Sequence, residues 1–179
     1  MLGEVPAIVL ITGIQAAGKS TVAQALAERL PRSAHLRGDA FRRMVVNGRA
    51  DMTPPPSHDA VAQLRLRHRL TAQTADAYFE SGFTVIAQDV ILGPYLSETI
   101  ASIRNRPLLT VVLAPSPSAV ASREAARAKT AYSTWTVNAL DTSLRTETPR
   151  IGLWLDTSTQ SPRETVEEIL TRAWTEAAV

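Results

Sequence analysis

The chain has no cysteine in 179 residues, which excludes disulfides and thiolate metal sites. Lysine is nearly missing as well: of the 19 basic residues only Lys19 and Lys129 are lysines. Aromatic residues reach just 5%, and the arginines are scattered apart from RLRHR at 65–69. A nucleic-acid binder usually shows a basic run with interleaved aromatics, so no nucleic-acid partner is expected. Net charge is only +2 although the pI is about 9.4, because few groups titrate between neutrality and the arginines. Long apolar runs are absent. The opening MLGEVPAIVLITG carries Glu4, lacks a positive leader region and is too short to span a bilayer. It reads as a buried strand, so a cytoplasmic protein with no membrane partner is expected. His35, His58 and His68 show no metal-ligand spacing.

What is present is ordinary for a soluble globular chain: 45% apolar and 20% charged residues. The length fits one domain over 1–179. Apolar runs of strand length recur at 7–12, 33–37, 83–88, 108–114 and 151–156, with helical periodicity between them. Nearly continuous apolar runs suit parallel strands covered on both faces. The alternation predicts a three-layer α/β/α sandwich around a five-stranded parallel sheet. The second and least apolar strand is expected to pair beside the first. MTPPPS at 52–57 cannot be helical, since its prolines fix φ and remove donors.

GIQAAGKST, running Gly13, Ile14, Gln15, Ala16, Ala17, Gly18, Lys19, Ser20 and Thr21, fits G-x-x-x-x-G-K-[ST]. The glycines allow a tight turn that aims backbone N–H groups at phosphate oxygens. The helix N-terminus that follows attracts the same anion. Lys19 adds a point charge at the outer phosphates, and the Ser20 hydroxyl is a magnesium ligand of the right hardness. An apolar strand before the loop and an amphipathic segment after it supply the context that the motif needs.

Ligands of a doubly wound sheet sit beyond the carboxyl ends of its strands. Asp39 falls there, as a helix N-cap or as the base that accepts a hydroxyl proton during attack on a phosphate. Asp89 ends the third apolar run and is a candidate for holding magnesium through water, for touching substrate or for capping a turn. After the fourth run, Arg123 and Arg127 lie four residues apart on one helical face. They are candidates for a helical lid over about 123–135 that meets the charge of a transferring phosphoryl group. The 65–69 segment reads as a solvated face rather than a pocket wall, and Trp135, Trp154 and Trp174 as packing residues. The loop at 156–164 is either a wall for the nucleobase or the cap region of the last helix. No guanine-reading N-K-x-D occurs.

GIQAAGKST, GDAFRRM, VIAQDVILG and SREAAR, in this order, resemble the P-loop small-molecule kinases, and among these the chloramphenicol phosphotransferase family. The resemblance implies transfer of the γ-phosphate of ATP, with Mg²⁺, to a hydroxyl of a small molecule such as an antibiotic. It places Asp39 at the base position, Lys19 and Ser20 on phosphate and magnesium, and Arg123 with Arg127 at the lid. A nucleotide or nucleoside kinase is the alternative within the same chemistry, and a toxin-like or regulatory ATP-binding protein the alternative outside it. The third run ends Gln88-Asp89, where the antibiotic-modifying member has two adjacent acids.

Overall fold

The computed structural model describes residues 2–126 and 135–179. Its centre is a sheet of five parallel strands: β1 (Ile8–Thr12), β2 (Ser33–Arg37), β3 (Thr84–Gln88), β4 (Leu108–Leu113) and β5 (Leu153–Leu155). All five fall inside the apolar runs of the sequence. β1, β3 and β4 are buried at every position, which explains why they lack any polar alternation.

The helices are α1 (Lys19–Glu28), α2 (Asp39–Met44), α3 (His58–Glu80), α4 (Tyr95–Ser102), α5 (Pro117–Ala125), α6 (Val137–Thr142) and α7 (Pro162–Glu176). A π-helical turn at Ser143–Glu147 follows α6. α1 and α7 pack together on one face of the sheet, and α3 and α4 pack together on the other. The three-layer sandwich is therefore as the sequence pattern requires. Residues 45–57, with their prolines, form no helix, and Ser57 caps α3 by accepting from Ala60 N.

Strand order is β2-β3-β1-β4-β5, which corrects the expectation that β2 sits beside β1. β3 lies between them, with Ile11 opposite Gln88 on one side and Arg37 opposite Gln88 on the other. The physical reason is burial. β3 is buried at every position and takes an interior place, whereas SAHLR in β2 is only half-buried and suits an edge.

Candidate active site

The site lies at the carboxyl ends of β2, β3 and β1 and begins with the loop after β1. Gly13 has φ +148°, and a Cβ there would lie 2.4 Å from the Leu113 carbonyl oxygen. Only glycine lets the chain leave β1 so close to β4. The loop folds back through Ala17 N donating to Ile14 O at 3.2 Å, and Lys19 Nζ donates to the same carbonyl at 2.7 Å. Lys19 is 8% exposed, so its charge is held against the loop.

α1 starts at Gly18 with no side-chain cap from any described residue and no acid in its first turn. By contrast α3, α5, α6 and α7 are closed by Ser57, Ser116, Thr136 and Ser161. An uncapped N-terminus leaves backbone donors and the positive end of the helix dipole for an anion. Half-buried Ser20 and exposed Thr21 belong to this first turn.

Beside the loop is a cleft of about 210 Å³, lined among others by Ala17, Thr21, Arg123, Thr157 and Gln160. Arg123 in α5 donates to Ala17 O at 3.3 Å and to Thr157 O at 2.5 Å. It bridges the phosphate loop and the loop after β5, a nucleotide-side position that a sequence reading of the lid does not reveal. Thr157 Oγ1 is buried in this wall with no hydrogen-bond partner among the described residues. Asp156 is held below the ordinary carboxylate range by the Ser158 hydroxyl and backbone N–H, helped by the charges of Arg145 and Arg123. Arg127, the other lid candidate, lies outside the described residues, as does most of 123–135.

The remaining acids sit one and two strands away. Asp39 is the first residue of α2, and Gly38 takes the N-cap position, so the Asp39 carboxylate makes no cap bond. Its oxygens lie 3.3 Å from Arg43 and 3.8 Å from Arg37, and Oδ1 accepts no hydrogen bond from a described residue. Asp89 continues the ladder past β3 through Asp89 N donating to Ile11 O at 3.2 Å. Its buried carboxylate takes a two-point ion pair from Arg67 of α3, with Arg67 Nε 2.6 Å from Oδ2 and Nη2 on Oδ1, and also accepts from Val90 N at 2.7 Å.

Gly38 makes the assembly close-packed: a Cβ there would fall 2.1 Å from Asp89 Oδ2. Thr12 Oγ1 clasps the loop beyond, accepting from Ile91 N and donating to Ile91 O, both at 2.9 Å. His68, next to Arg67 and buried, is pushed down to about 4 by desolvation, against the pull of Asp89 and Glu98, with Arg67 adding to the fall.

Arg67 is the residue that reading the sequence missed, since RLRHR looked like a solvated face. Arg65 is indeed half exposed and paired with Glu98 at 2.9 Å. Arg67, however, stands seven residues after buried Ala60 and four before buried Thr71, on the inward stripe of α3. That periodicity was the available signal.

For magnesium, the described residues contain no cluster of three or more His, Cys, Asp or Glu that could hold a metal ion. The donor set that fits is Ser20 with the phosphates of a bound nucleotide, a usual arrangement for a cation that keeps most of its ligands as phosphate and water. Asp89 is already committed to Arg67 and Val90 N. No helix among the described residues is long and apolar enough to cross a membrane.

A family model described as AAA domain, AAA_33, matches residues 8–149. No curated protein matches the chain. Among solved structures, a sugar kinase from a Janibacter species is 19% identical, with 93% of each chain covered and a TM-score of 0.71. A tunicamycin resistance protein from Deinococcus radiodurans is 18% identical over 97% of this chain and 99% of its own, TM-score 0.69. The APS kinase of Mycobacterium tuberculosis, solved with AMPPNP and APS, is 18% identical over 93% and 96%, TM-score 0.69. The fold is thus the P-loop kinase fold, at a coarser level than the chloramphenicol phosphotransferase resemblance.

Proposed function

From the membership of this chain in the AAA_33 family of AAA domains, we propose that it is an ATP-dependent phosphotransferase acting on a hydroxyl of a small molecule. The observation that carries this reading is an uncapped helix start after the loop on β1 together with Asp39 at the same carboxyl edge of the sheet, two strands away. The loop after β1 would bind the phosphates through its backbone donors and Lys19. Arg123 and the loop after β5 would wall the base in the cleft between them. Magnesium, held by Ser20 and the phosphates, supplies charge neutralisation at the transferring group. Asp39 would accept the proton of the attacking hydroxyl, and Arg37 and Arg43 lie beside its carboxylate.

An antibiotic such as chloramphenicol belongs among the acceptors to test, together with sugars and nucleosides. The test is ADP release from Mg-ATP across such a panel, with product mass, for wild type and Asp39→Asn. Wild type should phosphorylate at least one acceptor. The variant should lose about 10²–10⁴-fold in turnover while still binding ATP, the usual contribution of a positioned base. Normal turnover by the variant would remove Asp39 from the mechanism.

A further inference from the structure

We infer that Arg67 is the acceptor-orienting residue of this site and that the acceptor carries an oxyanion group besides the hydroxyl to be phosphorylated. This rests on the phosphotransferase reading above and names its substrate class.

A guanidinium has five N–H donors in a fixed planar fork. Arg67 gives Nε and one Nη2 donor to the buried Asp89 carboxylate, so the pair is bidentate along one edge. No described residue takes the Nη1 edge. The side chain is 15% exposed and Asp89 only 3%, so what solvent or a ligand can reach of the pair belongs to Arg67. Asp89 fixes the plane of the fork, and Gly38 packed on Asp89 Oδ2 fixes the plane relative to the Asp39 turn. A planar, pre-oriented donor edge beside the base matches a carboxylate or phosphate, which accepts two parallel N–H bonds.

The charge balance points the same way. Arg37 and Arg43 share Asp39, Arg42 and Arg49 share Asp51, and Arg67 has Asp89, so five arginines face three aspartates. The surplus of positive charge on this end of the sheet is unsuited to a cationic acceptor and is relieved by an anionic one.

The experiment compares three skeleton-matched ligands by calorimetry with Mg-ADP present: D-glucitol, D-gluconate and D-glucose 6-phosphate, with glycerol, D-glycerate and glycerol 3-phosphate as a second set. Wild type should bind an oxyanion member of a set at least about tenfold more tightly than the neutral one. Whether carboxylate or phosphate is preferred identifies the group. Arg67→Gln alone strands a buried carboxylate, so the decisive variant is Arg67→Gln with Asp89→Asn, which keeps a neutral hydrogen-bonding pair of similar shape. It should fold and lose the preference; for any member that is also phosphorylated, KM should rise while kcat falls much less. Arg67→Lys, which keeps charge without the fork, should recover only part.

A double variant that retains the preference makes the pair purely structural and overturns the inference. So does equal binding of neutral and oxyanion members, or binding of no oxyanion by a wild type that still binds Mg-ATP; in each case the nucleotide reading stands. Failure to bind Mg-ATP brings down the proposed function and this inference together.

Discussion

At the scale of single residues, the site is defined by close approaches that tolerate one residue type each. Gly13 and Gly38 are of this kind, the first pressed on a carbonyl of β4 and the second on a carboxylate beyond β3. His68 adds a measurable signature. Its ring is buried between Tyr95, the Val90 backbone, Asp89, Glu98 and Arg67, and Nε2 has no partner among the described residues. The folded protein therefore keeps the ring neutral down to about pH 4, whereas the unfolded chain protonates it near 6.5. Between those values the unfolded state binds the extra proton, so the stability from neutral burial is complete above about 6.5 and declines as pH falls toward 4. The loss should be on the order of 3 kcal/mol at the acid end. Urea denaturation at pH 7 and pH 4.5 should show a steeper fall for wild type than for His68→Leu. Parallel lines for the two would remove His68 as the source.

At the scale of elements, the helix N-termini divide into those that a side chain closes, α3, α5, α6 and α7, and those without a side-chain cap, α1 among them. α7 has a complete capping box: Ser161 Oγ accepts from Glu164 N at 3.3 Å, and Glu164 Oε2 accepts from Ser161 N at 2.7 Å. Ser161→Ala should cost about 1 kcal/mol, a fall of about 2–4 °C in Tm for a protein of this size. An unchanged Tm would mean that packing of α7 on α1 and β4 fixes its start without the cap. α3 is anchored at its far end by buried Asp76, which accepts from the backbone of Arg104 and Asn105. Burial pushes that carboxyl up, but these hydrogen bonds outweigh it and hold it below its ordinary value.

The strands and the phosphate loop were legible in the sequence because burial on two faces and glycine spacing are local signals. The place of β2 was not, since pairing is set by which strand can bear an edge. Arg67 was half legible, from its position on the inward stripe. Its partner Asp89 lies 22 residues on, and no local pattern joins the two. Arg123 reads as a lid candidate in the sequence, where its contact with Thr157 is not legible, because that contact spans 34 residues and depends on how the last loop folds back.

At the scale of the whole molecule, ligand binding should couple to global stability, since the phosphate loop grows out of the most deeply buried strand of the sheet. Mg-ATP at a hundredfold excess over its Kd should stabilise wild type by about 2.7 kcal/mol. Lys19→Ala should fold, yet show little of this gain in thermal denaturation; an equal shift in both would deny Lys19 its part in holding phosphate. The order of the strands has a last effect on the chemistry. Neighbouring strands lie about 4.8 Å apart, and with β3 interposed the ends of β1 and β2 stand about 10 Å apart. The sheet thereby acts as a gauge. In the proposed phosphotransferase, a terminal phosphate held by the loop after β1 and the Asp39 carboxylate after β2 would be parted by the width of the interposed strand. An acceptor of that reaction would then be selected by where its hydroxyl sits before any side chain has read what else it carries.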